Sequence, residues 1–192
     1  MKRLFLNLII VISAVSLSSC GYNSMVEKQE AVESQWAQVQ NVYQRRMDLI
    51  PNLVETVKGV ANFEKGTLEA VVQARAEATK TTINANDLTP EKVAQFQKAQ
   101  EGLTGALSKF MSIVENYPDL KANQNFTELQ AQLEGTENRI TVERMKFNES
   151  VKDYNTYIRQ FPNNMTSGMF GFQKKGYFEA SAGADKAPSV KF

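Results

Sequence analysis

Apolar and aromatic side chains recur at Val32, Trp36, Val39, Tyr43, Met47, Ile50, Val54, Val57 and Ala61, a mean step of about 3.6 residues. That phase passes through Pro51 unbroken. A helix that stopped at the proline would restart in another register, so the pattern predicts one kinked but continuous helix from about Met25 to Val60. Because proline has no N–H, the carbonyl of Met47 loses its usual donor, which leaves a polar site within an apolar face.

The same period continues downstream. A second helix is predicted over about Glu64 to Ile83, carrying Leu68, Val71 and Val72 and ended by Asn84-Ala85-Asn86-Asp87. Thr89 is placed to cap a third helix, with Pro90 at its first position and Glu91 in its first turn. The core stripe of this third helix is Val93, Phe96, Leu103, Leu107, Phe110 and Val114. Phe126, Leu129, Leu133, Ile140, Phe147, Val151, Tyr154 and Ile158 then define a fourth helix of about 35 residues, roughly 50 Å long.

Each helix has one apolar stripe, and short connections force antiparallel neighbours. The predicted fold is all-α, an elongated antiparallel four-helix bundle with long first and last helices and an irregular aromatic C-terminal tail. Heptad-like spacing would also permit an intermolecular coiled coil, but four stripes within one chain can satisfy one another.

The chain has no histidine. That excludes Ser-His-Asp and Cys-His nucleophile systems, His-ligated zinc and the Glu-x-x-His di-iron pair of helical bundles. No Gly-rich phosphate loop or Ser-x-x-Lys spacing is present. Lys and Arg number 22 against 21 Asp and Glu, a balance that advertises neither nucleic acid nor anionic lipid. These features predict a non-enzymatic protein with no cofactor, no metal and no nucleic-acid partner.

The single cysteine fixes an address. Lys2 and Arg3 precede an apolar run from Leu4 to Val15, and Leu17-Ser18-Ser19 leads into Cys20, the pattern of a lipoprotein signal peptide with a small-residue cleavage site. Leu4 to Leu17 is short of the ~20 residues a spanning helix needs. Cleavage would make residues 1–19 a leader, with Cys20 as an acylated, palmitate-bearing N-terminus held at a bacterial membrane by two or three acyl chains. The bundle would then occupy 20–160 and the tail 161–192. Gly21 after the cysteine, not Asp, favours the outer membrane and a periplasm-facing domain.

Polar groups crowd the stripe of the first helix at Arg45, Arg46, Asp48 and Asn52, and that of the fourth at Glu137, Asn138 and Arg139, with Asn148, Tyr154 and Asn155 beyond. If these helices pack, Arg46 would pair with Glu137 or Asp48 with Arg139. Three readings stay open: a structural tie between helices, a recognition groove beside Pro51, or a pair of carboxylates, Asp48 and Glu137, acting on a glycosidic bond. The last would make the chain a peptidoglycan hydrolase.

After Phe161, the residues Pro162, Gly168, Gly171, Gly176, Gly183 and Pro188 break any long period. The aromatics Phe161, Phe170, Phe172, Tyr177, Phe178 and Phe192 are expected to lie back along the bundle and seal its groove. A sharper alternative is that Ser189-Val190-Lys191-Phe192 is a free C-terminal ligand, with Val190 and Phe192 suited to strand addition in a PDZ domain of an envelope protease.

The chain resembles the LemA family of bacterial envelope proteins. The resemblance runs through Gly21-Tyr22-Asn23, Arg45-Arg46-Met47-Asp48-Leu49-Ile50-Pro51-Asn52-Leu53-Val54, Val57-Lys58-Gly59, Glu115-Asn116-Tyr117-Pro118-Asp119-Leu120-Lys121-Ala122, Glu134-Gly135-Thr136-Glu137-Asn138-Arg139-Ile140, Tyr154-Asn155, Phe161-Pro162 and Tyr177-Phe178. It implies an N-terminally membrane-held helical bundle outside the cytoplasm, no established catalytic residue, and association with other envelope proteins, a membrane metalloprotease among them. Many relatives keep an N-terminal membrane helix where this chain has a lipobox. The combined expectation is a lipid-anchored scaffold or adaptor.

Overall fold

The computed structural model describes residues 2–59 and 63–180, with side chains from Gly21 onward. Among the described residues every helix is α apart from one 3-10 turn. The order is α1 (Lys2–Lys58), α2 (Lys65–Lys80), the 3-10 turn Ala85–Asp87, α3 (Pro90–Val114), α4 (Pro118–Lys121), α5 (Gln124–Arg159) and α6 (Asn163–Thr166). Helix α1 starts at Lys2, well before the Met25 that the stripe alone predicts, because no proline interrupts residues 2–25. It ends at Lys58, with a basic residue in its last turn and Gly59 after it, a favourable C-terminal sequence.

Pro51 lies inside α1 and does not end it. The carbonyl it strips of a donor is satisfied from another helix: Arg75 Nε in α2 donates to Met47 O at 2.9 Å. Arg75→Met should therefore lower stability by about 1–2 kcal/mol, the cost of a partly buried acceptor left unpaired, read as a shift of the urea midpoint at constant slope. Helix α3 begins as its sequence dictates, with Pro90 in its first turn and Thr89 accepting from Lys92 N at 3.4 Å. Asn123 caps α5 in the same way, accepting from Phe126 N at 3.2 Å.

Helices α1 and α5 form the longest interface, and α2 pairs with α3. The interior has two halves. One is aromatic, built on Trp36, Tyr43, Phe96, Phe147 and Phe178 with Val32, Val39 and Val151. The other is mainly aliphatic, with Ile50, Leu53, Val57, Val71, Leu103 and Phe110 at its centre.

The α2–α3 pair covers only part of α1. Trp36 Nε1 and Gln40 Nε2 donate to Ile83 O at 3.4 and 3.2 Å, where the chain turns between α2 and α3. Beyond that level the groove is closed by the extended segment 172–180. Phe178 is 4% exposed, stacks on Trp36 at 5.9 Å and meets Phe147 edge-on at 5.4 Å. The sealing role expected of the tail aromatics holds for Phe178, and Phe172 packs partly buried beside the same core. It fails for Phe161, Phe170 and Tyr177, which are exposed, and Phe192 lies outside the described residues.

Candidate functional site

The boundary between the two core halves is polar, and Arg46 is its centre. Its side chain is 1% exposed and reaches across to two other helices. Nη1 donates to Glu137 Oε2 on α5 at 2.8 Å and to Thr104 Oγ1 on α3 at 2.9 Å. Nη2 donates to Gln100 Oε1 at 2.6 Å and to Gln100 O at 3.3 Å. The guanidinium carbon lies 5.1 Å from the Tyr43 ring centroid, within cation–π range. Arg46 Nε and Gln100 Nε2 have no hydrogen-bond partner. The carboxylate is asymmetric to its partner, since Glu137 is 47% exposed.

Beside this layer, a cleft of ≈ 380 Å³ between α3 and α5 is lined by Arg46, Thr104, Leu107, Met111, Leu133 and Glu137. Ser108 and Glu134 complete its wall, so the lining mixes polar with apolar side chains. Of the residues singled out from sequence, only Arg46 and Glu137 meet. Arg45, Asn138 and Arg139 are exposed. Asp48 is exposed and accepts from Gln44 Nε2 at 2.7 Å, so the alternative pairing of Asp48 with Arg139 is not made. The reason is helical geometry: two residues on is a rotation of about 200°, so a helix that turns Arg46 inward turns Asp48 out, and Arg139 stands in the same relation to Glu137. Asn52 lines a separate shallow cleft with Thr56, Asn125 and Leu129.

The second polar cluster, Asn148, Tyr154 and Asn155, makes no hydrogen bond to the Arg46 layer; it holds the tail. Asn155 donates to Lys175 O and accepts from Lys175 N, both at 2.9 Å. Asn148 does the same for Phe178, at 2.8 and 2.9 Å, and Gln97 on α3 for Glu179, at 3.1 and 2.9 Å. Three side-chain amides thus read the backbone of an extended segment as a neighbouring strand would. Gly176 passes so close to the start of α3 that a Cβ there would lie 2.7 Å from Pro90 Cα.

Tyr154 donates to Gln173 O at 3.0 Å, and its phenol is pushed up to about 12, chiefly by burial and secondarily by Glu33. A phenol whose folded pKa exceeds its unfolded value of about 10 stabilises the fold fully below pH 10 and loses that contribution as pH rises toward 12. Tyr154→Phe should therefore remove part of the alkaline fall in stability over that window, measured as the pH dependence of the urea midpoint against wild type. Lys175 is shifted the other way, its ammonium disfavoured by burial against the opposing pull of Glu33 and Asp87.

Sequence reasoning missed Gln100, Thr104 and Gln97. Gln100 has a visible signal: it lies four residues after Phe96 and three before Leu103, on the core stripe itself. Among the described residues, no group of three or more Asp, Glu, Cys or His could hold a metal ion, and no helix is long and apolar enough to cross a membrane. The side chain of Cys20 and the residues Val190 and Phe192 lie outside the described residues, so the lipid and C-terminal-ligand readings keep the standing the sequence gives them.

An all-α antiparallel bundle, locked internally by a buried arginine and closed by its own C-terminal strap, is the class that fold and site define. The LemA family model matches residues 35–192, and the chain belongs to the LemA family. It is similar to magnetosome protein MamQ of Magnetospirillum gryphiswaldense, 24% identical over 85% of this chain and 66% of that protein. It is also similar to magnetosome protein MamQ 1 of Paramagnetospirillum magneticum, 22% identical over 91% of this chain and 71% of that protein. Protein LemA of Metamycoplasma hominis is 22% identical over 83% of this chain and 69% of its own length. The chain therefore spans about two thirds of the length of these curated relatives.

Proposed function

We infer that the chain is a non-enzymatic scaffold or adaptor of the bacterial envelope, lipid-anchored at Cys20 and facing the periplasm, with the outer membrane as the favoured site. The observation that carries this reading is the commitment of Arg46: its bound donors go to Glu137, Gln100 and Thr104 within the bundle. Glu137, one of the two carboxylates that would have served a reaction, is engaged by Arg46 across the helices, and fixing register is a known use of buried polar layers. Family membership supports the same reading.

The partner is a second envelope protein, with a membrane metalloprotease or a PDZ-bearing protease as the proposed class. The outward residues of the decapeptide, Arg45, Asp48 and Asn52, offer one surface for it. The C-terminal Val190 and Phe192 offer another, which a peptide ending in Val-Lys-Phe should compete for. The competing reading, a carboxylate-dependent peptidoglycan hydrolase, is disfavoured because Glu137 is occupied by Arg46 and Asp48 is bound by Gln44.

Photocrosslinking from Arg45 and from Asn52 in intact cells tests the reading. Capture of one envelope protease, lost when Asp48 and Asn52 are both replaced by Ala, is the expected result. Turnover of purified peptidoglycan that disappears in Asp48→Asn or Glu137→Gln, while the variants remain folded, would replace the scaffold with the enzyme.

A further inference from the structure

Exposed large apolar side chains gather at one end of the bundle. Phe161 is 80% exposed, Met165 67%, Met169 83% and Phe170 53%, all between the end of α5 and Gly171. This segment is well folded. Asn163 Nδ2 donates to Tyr157 O at 3.1 Å, Ser167 Oγ to Ile158 O at 3.1 Å, and Phe172 N to Ser167 O at 2.9 Å. Polar groups turn toward the bundle and apolar side chains turn away from it, the reverse of an ordinary water-facing loop.

Its location gives the arrangement a meaning. The Phe170 ring lies 5.1 Å from that of Tyr22, and Phe172 lies 5.7 Å from it. Gly21 sits so near Asn163 that a Cβ would lie 2.9 Å from its Oδ1. The loop therefore packs against the two residues that follow Cys20. Between Asp153 and Glu179 the sequence contains no acid, while the exposed Arg159 and Lys174 flank the loop; Lys175 is buried and donates to Asn86 O. Aromatic and methionine side chains bordered by cations match the interface of an anionic bilayer.

We propose that the 161–171 loop is a second membrane contact, inserting Phe161, Met165, Met169 and Phe170 at the headgroup–acyl boundary of an anionic bilayer. The inference rests on the Cys20 anchor proposed above and adds to it: acyl chains tether the bundle, and the loop fixes the angle at which it stands.

The test uses the full chain, processed in cells and reconstituted into phosphatidylethanolamine–phosphatidylglycerol vesicles. An environment-sensitive fluorophore is attached to Met169→Cys or, as a control of similar exposure on α5, to Met145→Cys; Met145 is 61% exposed. With Cys20 acylated, the introduced thiol is the only reactive one, and the wild-type chain is the blank. The expected result is blue-shifted emission at 169 and several-fold stronger quenching by spin-labelled lipid there than at 145. Flotation with the vesicles while the 169 probe stays as wet as the 145 probe would overturn the insertion and leave the anchor standing. Failure to float, or labelling of wild type at Cys20, would remove the anchor reading and this inference with it. Quenching at 169 by other labelled copies, and not by lipid, would assign the patch to a second copy of the chain and overturn the membrane contact.

Discussion

Glu137→Ala is expected to lower the unfolding free energy by about 3 kcal/mol, the low end of what breaking a buried ion pair costs. The substitution leaves the Arg46 guanidinium charged, 1% exposed and without a counter-ion. Glu137 itself is half-exposed, so water entering from its side limits the loss. Arg46→Met should cost less, because it removes the charge together with its desolvation and fills similar volume, although Gln100 Oε1 and Thr104 Oγ1 then lose a donor. The ordering matters more than either magnitude. If Arg46→Met proved the more damaging, the guanidinium's hydrogen bonds, and not charge neutralisation, would hold the layer together. Urea unfolding of both variants decides the order.

Phe178→Ala should produce a loss of similar size, about 3–5 kcal/mol as for other buried phenylalanines. Its ring contacts Trp36, Phe147 and Phe96, and the Arg144 guanidinium lies 4.8 Å from its centroid. Without it the strap keeps its polar ties, the amide pairs from Asn155, Asn148 and Gln97 with Tyr154 on Gln173 O, Arg144 on Glu179 O and Gly176 N on Leu88 O, but it loses its apolar anchor, and the aromatic half of the core opens. Amide hydrogen exchange at residues 173–179 should accelerate well beyond what global destabilisation explains, since the strap would open locally. Phe161→Ala, at a site 80% exposed, should leave stability within about 0.5 kcal/mol of wild type. Equal effects at the two positions would mean that the strap does not seal the groove.

The helices were legible because nearly all of the stripe residues are core residues. The continuity of α1 through Pro51 and the orphaned Met47 carbonyl followed from phase and from proline's missing N–H; the donor, Arg75, did not, because nothing local ties residue 75 to residue 47. The Arg46–Glu137 pair and the Asp48–Arg139 pair looked equivalent as residue types, yet the helical rotation between positions 46 and 48 makes them mutually exclusive. Gln100 was overlooked although it occupies a stripe position, where a polar residue signals a buried partner. The strap was harder to read: Asn148, Asn155 and Gln97 recognise backbone, and backbone carries no sequence signature.

The scaffold reading rests on Arg46 and Glu137 forming an internal lock between helices. A double-mutant cycle with Arg46→Met and Glu137→Gln, followed by urea unfolding, tests it most directly. A coupling energy above about 1 kcal/mol is predicted for two groups in direct contact within one network. Additivity within about 0.5 kcal/mol would mean that the pair does no structural work, and would contradict the account.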